Sequence, residues 1–180
     1  MRLGRRSGPG LAGLLIILVV VLLTDARDRG SNPDGPAGSP PAEAELPDGA
    51  RAEVVRVVDG DTIAVNVNGR DERVRYIGVD TPETVQPGAP VDCFGPQASS
   101  FNKGLVEGET VRLEFDRELR DRFGRLLAYV YVGGTFVNAE LIRGGYARTL
   151  EIEPNTAEAE RLARLESEAG GAGRGLWSAC

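Results

Sequence analysis

The sequence predicts a small, closed, antiparallel β-barrel of five strands, with helices inserted late and at the end. Three observations predict it. Short β-branched segments with alternating apolar residues recur from residue 52 onward. The pairs Asn68-Gly69 and Gly133-Gly134 fall between such segments, where tight hairpins form. Helix-like stretches come only after the third strand and again near the C-terminal end.

The elements follow in order. "AEVVRVV" (52–58) is rich in valine, and "DTIAVNV" (61–67) alternates Ile63, Val65 and Val67. After Asn68-Gly69, "ERVRYIG" (72–78) returns with Val74 and Tyr76 on one face and Arg73, Arg75 and Ile77 on the other. Three strands thus form a meander that ends in a turn at Asp80. Beyond a Gly- and Pro-rich loop (85–95), "GPQASSFNKGLVEG" predicts a helix from Pro96 with Ala98, Phe101, Leu105 and Val106 on its buried side. "TVRLEFD" (110–116) alternates again. "GRLLAYVYV" (124–132) is apolar on both faces, as a strand covered twice would be. The second Gly pair leads into "TFV", after which Asn138 is expected to cap a short helix, "AELIR", stopped by Gly144-Gly145. Asn155-Thr156-Ala157-Glu158 has the pattern of a capping box and predicts a last helix running to about Ala169.

Upstream, Arg2, Arg5 and Arg6 precede the uncharged run Leu11–Leu23, which is short for a span of ~20 residues. Residues 1–26 therefore read as a signal peptide, or as an uncleaved N-terminal membrane anchor. On either reading the rest is extracytoplasmic, secreted or held at the outer face of the membrane. Residues 27–47 are Gly, Pro, Ser and Ala with little to bury, a disordered linker. Residues 48–180 remain for one globular domain.

Composition narrows the chemistry. The chain has no histidine, which excludes Ser-His and Cys-His nucleophile pairs and nearly all zinc sites. Its two cysteines, Cys93 and Cys180, are most simply a disulfide in an exported protein; two free thiols are the alternative. The formal charge is −6, so a polyanion has to be gripped by local arginines and a metal ion, not by a global basic field.

Against that background one group of residues stands out. Asp59 and Asp61 flank Gly60 in "VVDGDT", Asp80 and Glu83 flank Thr-Pro in "VDTPET", and Arg75 and Arg125 lie on neighbouring strands. Singly, each is ordinary turn or strand-end chemistry. Together, Asp61 and Asp80 offer hard oxygen ligands that suit Ca²⁺ or Mg²⁺. Glu83 stands beside water oriented by such an ion, and two guanidiniums fit a phosphate gaining charge. The task implied is phosphodiester hydrolysis with a carboxylate base and an arginine clamp.

The segments "VVDGDTIAV", "VRYIGVDTPET", "FGPQAS", "EFDRELRDRFGRLLAYVYVGGTFVNAELIRGGYA" and "GLWS", spanning about 51–178, resemble the thermonuclease family, whose type member is staphylococcal nuclease. The resemblance implies a five-stranded OB-type barrel plus three α-helices. It also implies a Ca²⁺-dependent endonuclease acting on DNA and RNA, single strands preferred, with little sequence preference and 3′-phosphate products. By this resemblance Asp61 and Asp80 are the calcium carboxylates, Thr81 gives the ion its carbonyl, and Glu83 is the general base. Arg75 and Arg125 are the phosphate-binding, catalytic arginines. Phe123 replaces a tyrosine of the type member, keeping ring packing against substrate but losing a phenol hydrogen bond. The segment "ARTLEIEPNT" lacks the type member's tyrosines, and the domain is acidic where the type member is basic. No protein partner is implied, and a monomer is expected. The rival reading is a non-catalytic nucleic-acid-binding barrel of the same OB type; such relatives lose the acids or arginines that this chain keeps.

Overall fold

The structure, a computed structural model, describes residues 46–84, 88 and 90–180. The expected leader, and the expected linker up to residue 45, lie outside the described residues. Among the described residues no helix is long and apolar enough to cross a membrane.

Strands β1 (Ala50–Asp59), β2 (Thr62–Val67) and β3 (Arg70–Tyr76) form the expected antiparallel meander. The turn between β2 and β3 holds Asn68 and Gly69 at φ 52° and 79°, the left-handed pair that a two-residue hairpin requires. Register shifts on β1 between Val54 and Arg56 and between Val57 and Asp59 bend it, so it pairs β2 along one edge and β5 (Thr110–Glu114) along the other. Strand β6 (Leu126–Val132) pairs β5 antiparallel, and a hairpin leads to β7 (Thr135–Phe136).

Closure departs from the all-antiparallel expectation. Strand β6 runs parallel to β3, with Val74, Arg75 and Tyr76 opposite Leu126, Leu127 and Ala128. The barrel is therefore a closed five-stranded mixed one, β3-β2-β1-β5-β6 and back to β3. The physical reason is chain direction: the helix after β3 carries the chain back before β5 and β6 form their hairpin. The interior is aliphatic. Val54, Ile63, Val65, Val74, Val111, Leu113, Leu126 and Val130 are all buried in one cluster.

Strand β3 also ends earlier than expected. Gly78, at φ 75°, turns the chain into a separate short strand, β4 (Gly78–Asp80). It pairs with β8 (Arg148–Leu150), so Asp80 closes a strand opposite Arg148 and does not sit in a free turn.

Among the described residues there are four helices, three of them longer: α1 (Gly95–Val106), α2 (Val137–Arg143), α3 (Ala159–Gly171) and the short α4 (Leu176–Ala179). Neither expected asparagine cap is made. Asn138 lies inside α2, fully buried, where it accepts a hydrogen bond from the Val130 N–H and donates one to the Ile77 carbonyl. Two backbone groups, one on β6 and one at the β3–β4 corner, are thus bonded through one side chain. Asn155 instead clasps the backbone of Glu118, accepting from its N–H and donating to its carbonyl. Cys93 and Cys180 stand at disulfide distance, their Cα atoms 6.0 Å apart.

Replacing Asn138 by Ala strands both buried backbone groups. The variant is expected to lose about 2–3 kcal/mol of stability in urea denaturation, with the secondary structure retained by circular dichroism.

Candidate active site

The β1–β2 turn brings Asp59 and Asp61 against the segment that follows β4. Gly60 makes this possible: a Cβ there would meet the Thr81 side chain at 2.6–2.8 Å, so no larger residue fits without moving Thr81. Asp61 is buried, and its Oδ2 accepts the Thr81 N–H at 2.9 Å and the Thr81 hydroxyl at 3.0 Å. The same oxygen lies 3.1 Å from Arg75 Nη1. Its Oδ1 accepts from the Thr62 hydroxyl.

Arg75 extends from β3 across the β4 corner. Its Nη1 donates to the carbonyls of Tyr76 and Val79, and its Nη2 lies 3.2 Å from Asp80 Oδ1. The guanidinium is thus fixed in direction by backbone oxygens, with both aspartates beside it. Asp80 differs from Asp61 in being mostly open to solvent, its side chain 55% exposed against 8%. Partial burial still pushes the Asp80 carboxyl up; Arg75 opposes that, and the charges of Asp61, Glu83 and Asp92 reinforce it.

Glu83 and Asp59 form a second acid pair. The Asp59 carboxylate accepts from the Thr84 hydroxyl and the Gly60 N–H, and it shares a hydrogen bond with Glu83. Burial first, and then the Glu83 partnership, push Asp59 up to about 6. Two carboxyls this close favour holding a proton between them.

Arg125 sits immediately before β6. Its Nε and Nη2 both lie 2.7 Å from Asp121 Oδ2, while Asp121 Oδ1 accepts the backbone N–H groups of Phe123 and Arg125. Burial alone would raise the Asp121 carboxyl, but these donors outweigh it and hold it below the usual range. Two of the five guanidinium donors bond Asp121.

Asp61, Arg75, Asp80, Thr81, Glu83 and Arg125 all line one cavity of about 230 Å³, together with Asp59 and Arg73. Phe123 does not enter it. It lines an adjoining groove of about 530 Å³, whose walls include Leu127, Leu150 and Ile152. Arg75 and Arg125 line both spaces, so the two guanidiniums stand between a carboxylate chamber and an apolar slot. Phe123 is 69% exposed and Ile152 61%, and the Arg122 guanidinium lies over the Phe123 ring, 4.7 Å from its centroid.

The donor set fits a hard divalent cation. Asp61 Oδ1, the exposed Asp80 carboxylate and the Thr81 carbonyl are oxygen ligands of the kind Ca²⁺ takes, with solvent or substrate needed to complete six to eight. Among the described residues no group of three or more His, Cys, Asp or Glu side chains is arranged to enclose a metal. The fit is that of an open, two-carboxylate site.

The family profile described as "Staphylococcal nuclease homologue" matches residues 73–179. The thermonuclease of Staphylococcus hyicus is 36% identical over 165 residues, covering 92% of this chain and 95% of its own. The chain belongs to the staphylococcal nuclease family. The thermonuclease of Staphylococcus intermedius is 42% identical over 156 residues, 87% of this chain and 89% of its own. Endonuclease YncB of Bacillus subtilis is 46% identical over 125 residues, 68% of this chain and 59% of its own.

Within this staphylococcal nuclease domain, sequence reasoning named six of the ten residues that line the chamber. It treated Asp59 only as a turn residue and missed Asp121 as the partner that steers Arg125. The Asp-x-x-x-Arg spacing across Gly124 was the available signal for Asp121. For the Asp59–Glu83 contact there was none, since it joins segments far apart in sequence.

Because its carboxyl is raised in the folded state, Asp59 contributes stability that is complete below about pH 4 and lost as pH rises through about 6. In chelator, urea denaturation of the wild-type protein is expected to show this fall in stability, and Asp59→Asn to flatten it.

Proposed function

We propose that this chain is a Ca²⁺-dependent nuclease that hydrolyses phosphodiester bonds of DNA and RNA, preferring single strands, with little sequence preference and 3′-phosphate products. The single observation carrying this reading is the convergence of two aspartates, a glutamate and two arginines on one small chamber that opens onto an apolar slot. Family membership, with relatives named thermonuclease and endonuclease, supports the nuclease activity itself.

Asp61, Asp80 and the Thr81 carbonyl hold the ion. When bound, Ca²⁺ supplies positive charge that keeps the crowded acids ionised and offsets the charge of the phosphate. Arg75 and Arg125 donate to the phosphate oxygens and so fix the phosphorus between them. As charge accumulates on those oxygens, the guanidiniums gain more than they do in the ground state, which is how they lower the barrier. Glu83 takes a proton from the water that attacks phosphorus. The P–O5′ bond breaks, and Arg125 stands beside the departing oxygen, which is protonated from solvent. Phe123, Leu150 and Ile152 wall a slot into which an unstacked base fits, and this favours single strands.

The acidic surface offers little long-range attraction, so binding rests on the two arginines and the ion. We read the protein as a monomer. We also read the protein as exported, with residues 1–26 as signal or anchor and 27–47 as spacer; the Cys93–Cys180 pair supports an oxidising destination.

Glu83→Gln is expected to retain calcium binding by titration calorimetry while turnover on single-stranded DNA falls by roughly 10² or more. Unchanged turnover would remove Glu83 from the role. Wild-type activity is expected to vanish in chelator and return with added Ca²⁺. Nucleic acid bound but never cut under any metal condition would favour the non-catalytic barrel.

A further inference from the structure

Glu83 is a base only if its segment is held at the right distance from the phosphate, and the described residues show what holds it. The Glu83 N–H donates to Asp92 Oδ2 at 3.0 Å, and the Asp92 N–H donates back to the Glu83 carbonyl at 2.9 Å. This reciprocal pair bonds Glu83 to a residue nine positions later, just before α1. The start of α1 presses on the same segment. A Cβ on Gly95 would meet Thr84 Cγ2 at 2.8 Å and the carbonyls of Glu83 and Pro82 at 3.1 Å.

Asp92 is fixed in turn. The Gly95 N–H donates to its carbonyl, and its neighbour Cys93 stands at disulfide distance from Cys180 at the end of α4. The base of α4 is tied to the end of α2. The Leu176 N–H donates to the Gly145 carbonyl, and Gly175 approaches that carbonyl so closely that a Cβ would lie 2.2 Å from it. Leu176 is buried. A continuous path therefore runs from the packed end of α2, through α4 and the cysteine pair, to Asp92 and the backbone of Glu83.

We propose that Asp92 is a positioning residue for Glu83, held in place by the Cys93–Cys180 bridge. This rests on the reading of Glu83 as the base. Asp92 bonds Glu83 through the backbone alone, while its charge also bears on Asp80; its loss misplaces the base without removing the arginines or the ion ligands. Turnover suffers, and substrate affinity does not.

The test is steady-state kinetics on a single-stranded oligonucleotide at saturating Ca²⁺. Asp92→Ala is expected to lower kcat about tenfold or more through misplacement of the reacting group. KM stays within about twofold, the pattern of a group that acts only at the transition state. Asp92→Asn keeps an oxygen that accepts the same N–H and is expected to hold kcat near wild type, which separates the hydrogen bond from the charge. In a Glu83→Gln background, Asp92→Ala is expected to cost nothing further. Cys93→Ser combined with Cys180→Ser is expected to lower kcat in the same direction with KM unchanged.

Wild-type kcat in Asp92→Ala, an equal loss in Asp92→Asn, or a loss seen only in KM overturns the positioning role. Wild-type kcat in the double serine variant overturns the part played by the bridge. Should Glu83→Gln alone turn over normally, the base reading falls and this proposal with it. An inactive Glu83→Gln beside a normal Asp92→Ala removes the positioning role alone.

Discussion

One oxygen, Asp61 Oδ2, joins three parts of the chain. It receives the Thr81 backbone, the Thr81 hydroxyl and the Arg75 guanidinium. Each donor would be costly to strand where it lies, because Asp61 and Thr81 are both buried. The β1–β2 turn, strand β3 and the segment after β4 are therefore locked in one geometry by a single carboxylate. Charge balance follows from the same contact. Arg75 compensates part of the acidity of Asp61 and Asp80.

The barrel supplies the other half of the frame. Because β3 and β6 run side by side, Arg75 and the residue just ahead of β6, Arg125, are delivered to the same chamber from adjacent strands. Each arginine has its own aligning acid, Asp61 and Asp80 for Arg75 and Asp121 for Arg125. Had either guanidinium been left to solvent, the rotamer freedom of a long side chain would have to be lost on binding any ligand there. Here much of it is lost on folding.

Much of this was legible in the sequence, and the parts that were not share a cause. Alternating valines and the Asn68-Gly69 pair reveal β1 to β3 because strands and hairpins are encoded locally. Asp61, Asp80, Glu83, Arg75 and Arg125 were legible because their chemistry is improbable as a set. The parallel closure, the β4–β8 pair and the Asp92–Glu83 backbone pairing were not, since none of them leaves a local signal in the chain. The asparagines were misread for a related reason. Asn138 and Asn155 have good capping sequences, but each satisfies a backbone belonging to another element, and tertiary demand outweighed local preference.

Parallel closure has a consequence for how competence is acquired. Val74 finds Leu126 only after the whole intervening segment, helix included, has folded back, so that contact is among the slower ones to form. The arginine pair that meets there is thus completed with the barrel itself and not beforehand. A half-folded chain can hold Asp61 against Arg75 on the β2–β3 meander, but the full chamber forms only when β6 closes against β3 and brings Arg125.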